Sequence, residues 1–318
     1  MFKAEFLYSD AAEASHAHCA CVIPGPNGLL LAAWYAYPEE ETKSARLMLA
    51  RKEGPDATWA YGKPIELGLA SSLGNPVIFF DRSGTLWLHF VSLKGGYWDK
   101  ARWYAARSDN LGRTFARPNL VSPEEGLMLR HGPVFLPSGR ALMPMYSDRT
   151  RHSFIFESDP PYETWSRGFD FGDDPIIQPS LVSLEDKLAM FFRPADGPRH
   201  TWRSVSSNEG KHWGAPVRLP LPNPMSGISA FALGDDVGLV FNNSTQHKRF
   251  PLSISWSNAN LHSWSPPVDL DQPGFEVSYP SFVVEDNAIV HGVYTYNRKF
   301  IKYVCFDRDW IQEPNARD

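Results

Sequence analysis

The feature that most constrains this sequence is an internal repeat. Aromatic residues that close short polar stretches recur at intervals of about fifty residues, the size of one supersecondary unit in repeat proteins. They are Trp59, Phe115, Trp165, Trp213, Trp264 and Trp310. A second series, made of tight-turn residues that precede apolar runs, has the same period: Gly28, Gly84, Gly139, Asp186, Asp236 and Asn287. Because the two series interleave six times, the sequence predicts six copies of one structural unit.

The pattern of each unit predicts a small antiparallel sheet. The runs Leu86–Phe90, Leu188–Phe192 and Gly238–Phe241 are short, apolar and rich in residues that favour strands. Helical periodicity is nearly absent, and the 23 glycines and 27 prolines are scattered as expected for many short strands joined by turns. We therefore predict an all-β fold, a six-bladed β-propeller that forms a single domain over residues 1–318. Ring closure protects the sheet edges of such a fold.

Composition narrows the possible partners. The net charge of −5 and the lack of long basic runs argue against nucleic-acid binding. The sequence has no apolar run long enough for a membrane span and no signal-peptide pattern at its start. The odd set Cys19, Cys21 and Cys305 suits buried thiols in a reducing compartment, so we expect a cytoplasmic protein. No cofactor fingerprint or metal-ligand spacing is present, and we expect neither group. The oligomeric state stays open.

Three segments share a turn motif. Ser108–Phe115 (Ser-Asp-Asn-Leu-Gly-Arg-Thr-Phe) and Ser206–Trp213 (Ser-Ser-Asn-Glu-Gly-Lys-His-Trp) resemble the Asp-box hairpin of sialidases, and Ser255–Trp264 is a degenerate third copy. The Asx side chain and the glycine of such a box hold a tight turn, while the aromatic residue fills the blade. The motif therefore predicts structure and not catalysis.

Nearly the whole chain resembles the sialidase-like family of BNR-repeat propellers. The segments that carry the likeness are His18 to Trp34, Gly74–Val77, Ile177–Leu181, Phe192–Arg193, Leu221–Gly227, Arg249–Ser253, Ser278–Ser281 and Val293–Tyr296. The resemblance implies a six-bladed propeller whose working site lies where the blades meet at the central axis.

The same resemblance implies roles for individual residues. Sialidases bind the substrate carboxylate with three arginines and use a tyrosine, primed by a glutamate, as the nucleophile. By order along the chain, Arg193 and Arg249 match the second and third arginines, and Tyr279 matches the nucleophile. An arginine fork suits a carboxylate because it is planar, always charged and bidentate, although each arginine can also pair with a neighbouring acid.

Three positions depart from the family pattern. His18 stands in place of the first arginine, and Gln178 in place of the priming glutamate. For the acid/base aspartate the nearest candidate is Glu40, on a loop. We expect His18 to act as a general acid or base, and Gln178 to orient a substrate hydroxyl. His18, Tyr279 and Glu40 are therefore the predicted catalytic residues.

Further residues are predicted to contact the substrate. They are Asn75, Asn223, Asn242, Arg130, His131 and Tyr294. The three asparagines lie at inner blade positions and can bind sugar hydroxyls, but structural roles in turns fit them equally well. Arg130 and His131 precede a strand and are expected to reach the rim of the site.

The predicted partner is a small acidic saccharide or another carboxylate-bearing substrate. The family favours hydrolysis of a glycosidic bond at an acidic sugar. The side chains also suit β-elimination, in which an arginine neutralises the acid while His18 and Tyr279 move protons. Relatives that carry the histidine cleave rhamnose–glucuronate linkages in either way, as the resemblance implies. The remaining alternatives are a propeller that binds an acidic ligand without chemistry, and a small-molecule enzyme on the same fold.

Overall fold

The computed structural model describes residues 1–8, 16–38, 43–286 and 288–312. Within these ranges the chain forms six antiparallel sheets, one short α-helix and three 3-10 turns. The sheets are the blades of a six-bladed β-propeller, so the predicted fold is confirmed. No helix in these ranges has the length and apolar character that crossing a membrane requires.

The first strand, β1 (Phe2–Tyr8), belongs to the last blade, and blades 1 to 3 follow it in chain order. Blade 1 contains β2 (His16–Pro24), β3 (Leu29–Tyr37), β4 (Arg46–Glu53) and β5 (Lys63–Pro64). Blade 2 contains β6 (Ser72–Phe80), β7 (Leu86–Leu93), β8 (Ala101–Ser108) and β9 (Asn119–Ser122). Blade 3 contains β10 (Leu127–Leu129), β11 (Val134–Phe135), β12 (Ala141–Ser147), β13 (Ser153–Ser158) and β14 (Ser166–Asp170).

The other three blades repeat the pattern. Blade 4 contains β15 (Ile176–Ser183), β16 (Leu188–Pro194), β17 (His200–Ser206) and β18 (Val217–Pro222). Blade 5 contains β19 (Ser229–Leu233), β20 (Asp236–Asn242), β21 (Leu252–Asn258) and β22 (Val268–Asp271). Blade 6 contains β23 (Val277–Val284), β24 (Val290–Tyr296) and β25 (Phe300–Phe306) together with β1, and α1 (Arg308–Gln312) follows it. The 3-10 turns are Pro26–Gly28, Lys94–Gly96 and Trp98–Lys100.

The ring is closed by pairing between the two ends of the propeller sequence. Strand β1 pairs antiparallel with β25, from Phe2 opposite Phe306 to Tyr8 opposite Ile301. The outermost strand of blade 6 is therefore the first strand of the chain. Backbone hydrogen bonds between these strands close the ring and cover what would otherwise be an open sheet edge.

The aromatic residues of the repeat fill the gaps between blades. Each of four of them packs against an aromatic residue of the blade before it, with ring centroids 5.2–5.8 Å apart. The pairs are Trp59 with Tyr303, Trp165 with Trp103, Trp213 with Phe171 and Trp264 with Phe191. The fifty-residue period thus reflects one large ring per blade interface, because large aromatic side chains bury much apolar area there. Asn287, a member of the second series, lies outside the described residues.

The Asp-box hairpins have the predicted structural role. The Ser108 hydroxyl accepts the Gly112 amide at 2.9 Å, and the Asn110 side-chain oxygen accepts the Thr114 amide at 2.9 Å. Gly112 has a φ of 82°, a left-handed conformation that favours glycine. The copy at Ser206–Trp213 repeats both hydrogen bonds at 3.0 and 2.9 Å. Asparagine therefore replaces the aspartate of the motif without loss of the turn.

We expect Asn208→Ala to lower the free energy of unfolding by about 1 kcal/mol, because the His212 amide loses its side-chain acceptor. Thermal denaturation followed by circular dichroism measures this change. Lys211→Ala, an exposed change in the same hairpin, is the control and should leave the melting temperature unaltered. Equal melting temperatures for all three proteins would contradict the structural role of the box.

Candidate site at the propeller axis

Four blades carry a left-handed residue in a bulge of the innermost strand. The residues are Cys19 (φ 60°), Asn75 (φ 46°), Gln178 (φ 53°) and Tyr279 (φ 54°). In β2, β6, β15 and β23 the pairing register shifts at these positions. A bulge re-aims side chains, and a non-glycine residue at positive φ costs of order 1 kcal/mol or more. The same costly conformation is therefore present at matching points of four blades, and each time it faces the axis.

These four residues line one cavity at the axis, with a volume of about 180 Å³. Its walls are His18, Cys19, Tyr35, Asn75, Trp98, Met128, Tyr146, Asp148, Gln178, Arg193, Tyr279 and Arg298. Five blades contribute to this lining. Five of the residues that the sequence singled out, namely His18, Asn75, Gln178, Arg193 and Tyr279, thus lie together.

Arg193, on β16, is held in a fixed orientation by a residue of its own blade and by the segment that connects blade 4 to blade 5. Its Nε donates to Gln178 Oε1 at 2.8 Å, and its Nη1 donates to the Met225 carbonyl at 2.8 Å. Burial lowers the pKa of Arg193, but a guanidinium remains charged at all ordinary pH values. The cavity wall therefore carries a preorganised cation whose direct hydrogen-bond partners are neutral groups.

Two further arginines share one carboxylate. Glu276 pairs through Oε1 with Arg249 Nη1 and through Oε2 with Arg298 Nε, each at 3.2 Å. Burial acts to raise the pKa of Glu276, but a hydrogen bond from the Ser278 hydroxyl and the two arginines outweigh it, so the pKa lies below its usual value. With Arg193 included, three guanidiniums face one ionised carboxylate. This side of the site has an excess of positive charge.

Tyr279 lies between cationic and aromatic neighbours. The guanidinium carbons of Arg249 and Arg130 are 5.3 and 5.5 Å from its ring centroid. The His18 ring meets it edge-on with centroids 4.4 Å apart. Arg249 thus borders the site through the Tyr279 ring, and the phenol and the imidazole are in contact.

His18 is buried and uncharged at neutral pH. Its Nδ1 lies 2.9 Å from the Thr295 hydroxyl, which also accepts the Cys19 amide at 3.1 Å. Burial, followed by the charges of Arg298, Arg249 and Arg130, holds the pKa of His18 well below its usual range. The neutral ring can act as a base or as a hydrogen-bond donor, depending on its tautomer.

Gln178 uses both ends of its amide to position neighbours. Its Oε1 accepts Arg193, and its Nε2 donates to the Tyr146 hydroxyl at 3.2 Å. An amide cannot take up a proton as a glutamate does, so Gln178 orients Arg193 instead of priming Tyr279. Burial raises the pKa of Tyr146, which keeps that phenol protonated.

Three predicted contact residues lie elsewhere than expected. Asn223 is fully buried and bonds the amide and carbonyl of Ser226. Asn242 donates to the Val277 carbonyl at 2.7 Å, and Tyr294, on β24 of blade 6, donates to Asp271, on β22 of blade 5, at 2.8 Å. Their side chains serve the loops and sheets that hold them, because buried polar groups must find partners. They are therefore absent from the cavity wall.

Arg130 and His131 do not reach the rim. Arg130 is 1% exposed and donates to the carbonyls of Cys19, Tyr279 and Pro280, beneath the cavity floor. His131 lines a different axial cavity of about 310 Å³, and its Nε2 lies 2.8 Å from the Ile228 carbonyl. Burial lowers the pKa of His131 to about 3. Glu40 lies outside the described residues.

Sequence reasoning missed Asp148, Tyr146 and Tyr35. The sequence suggested that Trp98 could stack on a sugar ring, with core packing as the alternative, and that Arg298 closes the last blade. The one available signal is the recurring X-Pro pair on innermost strands: Asn75-Pro76, Gln178-Pro179 and Tyr279-Pro280. This pair marks three of the bulges but does not predict which residues of the turns and loops line the cavity. Within the residues described, no cluster of three or more His, Cys, Asp or Glu side chains is placed to hold a metal ion.

The chain matches a known protein family and resembles solved structures. A family model described as a BNR repeat-like domain matches residues 28–292. Many solved structures resemble the chain, and three of them are given as examples. The Hadza microbial sialidase Hz136 has a TM-score of 0.83 and 16% sequence identity, and the match covers 96% of this chain and 69% of that chain. A protein of unknown function from Dyadobacter fermentans has a TM-score of 0.81 and 17% identity, over 96% of this chain and 98% of that chain. The NanB sialidase from Streptococcus pneumoniae has a TM-score of 0.76 and 13% identity, over 95% of this chain and 70% of that chain. At such identities the likeness establishes the fold alone. No curated protein sequence matches the chain.

Proposed function

Because the chain belongs to the BNR repeat-like family of sialidase-like six-bladed propellers, we propose that it is an enzyme that cleaves the glycosidic bond of a small acidic sugar. One observation carries this proposal. Arg193, Arg249 and Arg298 supply three guanidiniums beside His18 and Tyr279, which are in contact at the propeller axis. The arginines bind the carboxylate of the sugar and hold its ring against the two groups that can move protons.

The cavity volume supports a single sugar ring as the bound unit. At about 180 Å³ it is smaller than the roughly 300–1,000 Å³ typical of pockets for drug-sized ligands. Tyr35 and Trp98 form an aromatic wall, with ring centroids 6.1 Å apart and ring planes tilted by 55°, and a pyranose can pack against an aromatic ring of this kind. The remainder of the substrate then extends through the mouth of the cavity. This arrangement suits attack at the end of a chain.

Hydrolysis is the reaction that we propose first. The carboxylate held by the arginines fixes the ring, Tyr279 stabilises or attacks the anomeric carbon from one side, and water completes the cleavage. Binding energy from the carboxylate positions the bond to be broken and so contributes to catalysis.

Elimination is the second candidate, and it is compatible with a neutral His18. A neutral imidazole beside the bound carboxylate can remove the α-proton, whose acidity rises when the arginines neutralise that carboxylate. Gln178, which has no carboxylate to prime Tyr279, is consistent with this chemistry.

Product analysis tests the proposal. The full-length protein is incubated with 4-methylumbelliferyl α-sialoside, 4-nitrophenyl β-D-glucuronide and a disaccharide with a sugar on O4 of glucuronate. Hydrolysis releases the fluorescent or coloured aglycone or a new reducing end, whereas elimination produces an unsaturated uronate that absorbs in the ultraviolet. Saturable binding of glucuronate or sialate without product from any of the three would contradict an enzyme and support a binding propeller.

A further inference from the structure

We propose that Asp148, which no family pattern and no sequence motif singled out, donates the proton to the departing glycosidic oxygen. This assignment rests on the proposed function. It deepens that function, since both hydrolysis and elimination need the leaving oxygen to be protonated. Asp148 lies in the lining of the axial cavity, on the side opposite the Glu276 cluster in the order of blades.

The backbone holds Asp148 firmly at the mouth of the cavity. It lies in the turn directly after β12, and its amide donates to the Gly126 carbonyl at 2.9 Å. The next turn bond joins the Arg151 amide to the Ser147 carbonyl at 2.9 Å. The Ser147 hydroxyl also accepts the amides of Arg149 and Thr150. A turn bonded at both ends fixes the backbone from which the Asp148 side chain reaches the cavity, and a proton donor must be positioned in this way.

The two carboxyl groups of the site have opposite environments. Asp148 keeps contact with solvent, but the protein around it desolvates the carboxyl group in part. This partial desolvation is the largest influence on its pKa and raises it, together with the charge of Asp99, against the opposing charges of Arg151 and Arg193. Glu276 has a lowered pKa and is held by two arginines. When the environments of two carboxyl groups of one site shift their pKa values in opposite directions, the group with the raised pKa is the acid. Glu276 is ionised and paired, so it has no proton to give.

His18 does not compete for this role. Its imidazole stays neutral because burial and three arginines disfavour the charged form. Of the described residues that line the cavity, Asp148 is the one with a carboxyl group. Its exposure at the mouth places it where the leaving part of the substrate exits.

The chemical step balances without any further reagent. The glycosidic C–O bond breaks and its electron pair stays on the leaving oxygen, which forms an O–H bond with the proton of Asp148. In hydrolysis the water that adds to the anomeric carbon returns a proton to the Asp148 carboxylate. In elimination the bond that breaks joins the leaving oxygen to the β-carbon of the uronate. His18 takes the α-proton, and the C–H electron pair forms the C=C bond of the unsaturated uronate. The proton on His18 then passes through solvent to the Asp148 carboxylate and restores both groups.

The test compares leaving groups in Asp148→Asn. A 4-nitrophenolate departs without protonation, whereas a sugar alkoxide does not, so only the sugar needs the acid. For hydrolysis, we expect kcat/KM to fall about a hundredfold for a glucuronosyl disaccharide but less than about tenfold for 4-nitrophenyl β-D-glucuronide. For elimination, the same comparison uses a glucuronate that carries the sugar or the 4-nitrophenyl group on O4. For the disaccharide, the unmodified protein loses activity as the pH rises through the pKa of Asp148. The variant should lack this alkaline limb.

Asp99→Asn is the matched control. It removes the same charge one residue from the cavity wall but leaves Asp148 in place. Because Asp99 raises the pKa of Asp148, its removal should move the alkaline limb to lower pH and preserve the cleavage of both substrates. Equal losses for both substrates in Asp148→Asn, or no loss for either, would overturn the assignment alone. A wild-type protein that cleaves none of the panel would overturn the proposed function, and this assignment with it.

Discussion

Arg193→Ala should reduce kcat/KM on an acidic substrate by about a thousandfold, the largest loss that we expect from one substitution. Truncating one partner of a buried, hydrogen-bonded charge pair costs about 2–5 kcal/mol, and each 1.36 kcal/mol is a factor of about ten in rate. The loss should come from two sources. The substrate carboxylate loses its ligand, and Gln178 loses the guanidinium that fixes its amide. Steady-state kinetics on the substrate identified by product analysis measures the effect.

Two variants show whether activity requires the planar guanidinium of Arg193 or only its positive charge. Arg193→Lys keeps the charge but loses the planar pair of donors, so we expect it to recover only part of the activity. Arg218→Ala removes an exposed arginine from β18 of the same blade and should behave as the unmodified protein. Full activity in Arg193→Ala, with an unchanged melting temperature, would show that the axial cavity is not the site of chemistry.

Tyr279→Phe should lower kcat by about 10²–10⁴, the range expected when a positioned proton-transfer group is lost. The substitution removes one oxygen and keeps the ring, so the contacts with His18, Arg130 and Arg249 remain. Affinity for a product such as glucuronate should therefore change little. Single-turnover kinetics for the rate and isothermal titration calorimetry for the affinity separate the two effects.

Tyr296→Phe provides the comparison within the same blade. Tyr296 is half-buried at the end of β24 and is not part of the cavity wall, so its hydroxyl should be dispensable. If Tyr279→Phe weakened product binding as strongly as it slowed turnover, the hydroxyl would be a binding group and not a reacting one. If it left both unchanged, Tyr279 would have a purely structural role in the bulge.

The strained bulges of the innermost strands explain how the residues at the axis are held in fixed positions. Cys19, Asn75, Gln178 and Tyr279 share a left-handed conformation that the surrounding sheets must over-determine. Each sits within an antiparallel ladder that resumes on both sides of the bulge. Side chains at these points are therefore fixed by sheet hydrogen bonds, whereas the outer residues of the cavity depend on turns.

The sequence by itself determined the architecture. Its evidence was local patterns: the fifty-residue period, the turn residues of Ser108–Phe115 and the aromatic residues between blades. The hydrogen bonds and ring contacts that these residues form lie within one repeat or across one interface between neighbouring blades. The family resemblance identified His18, Gln178 and Tyr279, which lie on innermost strands, and Arg193, which lies on the second strand of blade 4. Their places in the repeat bring them to the axis as soon as the ring closes.

Only the tertiary structure decided how charges pair and which polar residues reach the cavity. A shift of one residue in a strand turns a side chain to the opposite face. The bulge at Tyr279 shifts the register between β23 and β24, and Tyr279 lines the cavity whereas Tyr294 does not. No period in the sequence encodes the position of that bulge. Arg298 and Asp148 enter from turns of different blades, and Glu276 joins Arg249 to Arg298 across 22 residues or more. These contacts depend on distances around a closed ring, which short-range sequence patterns cannot specify.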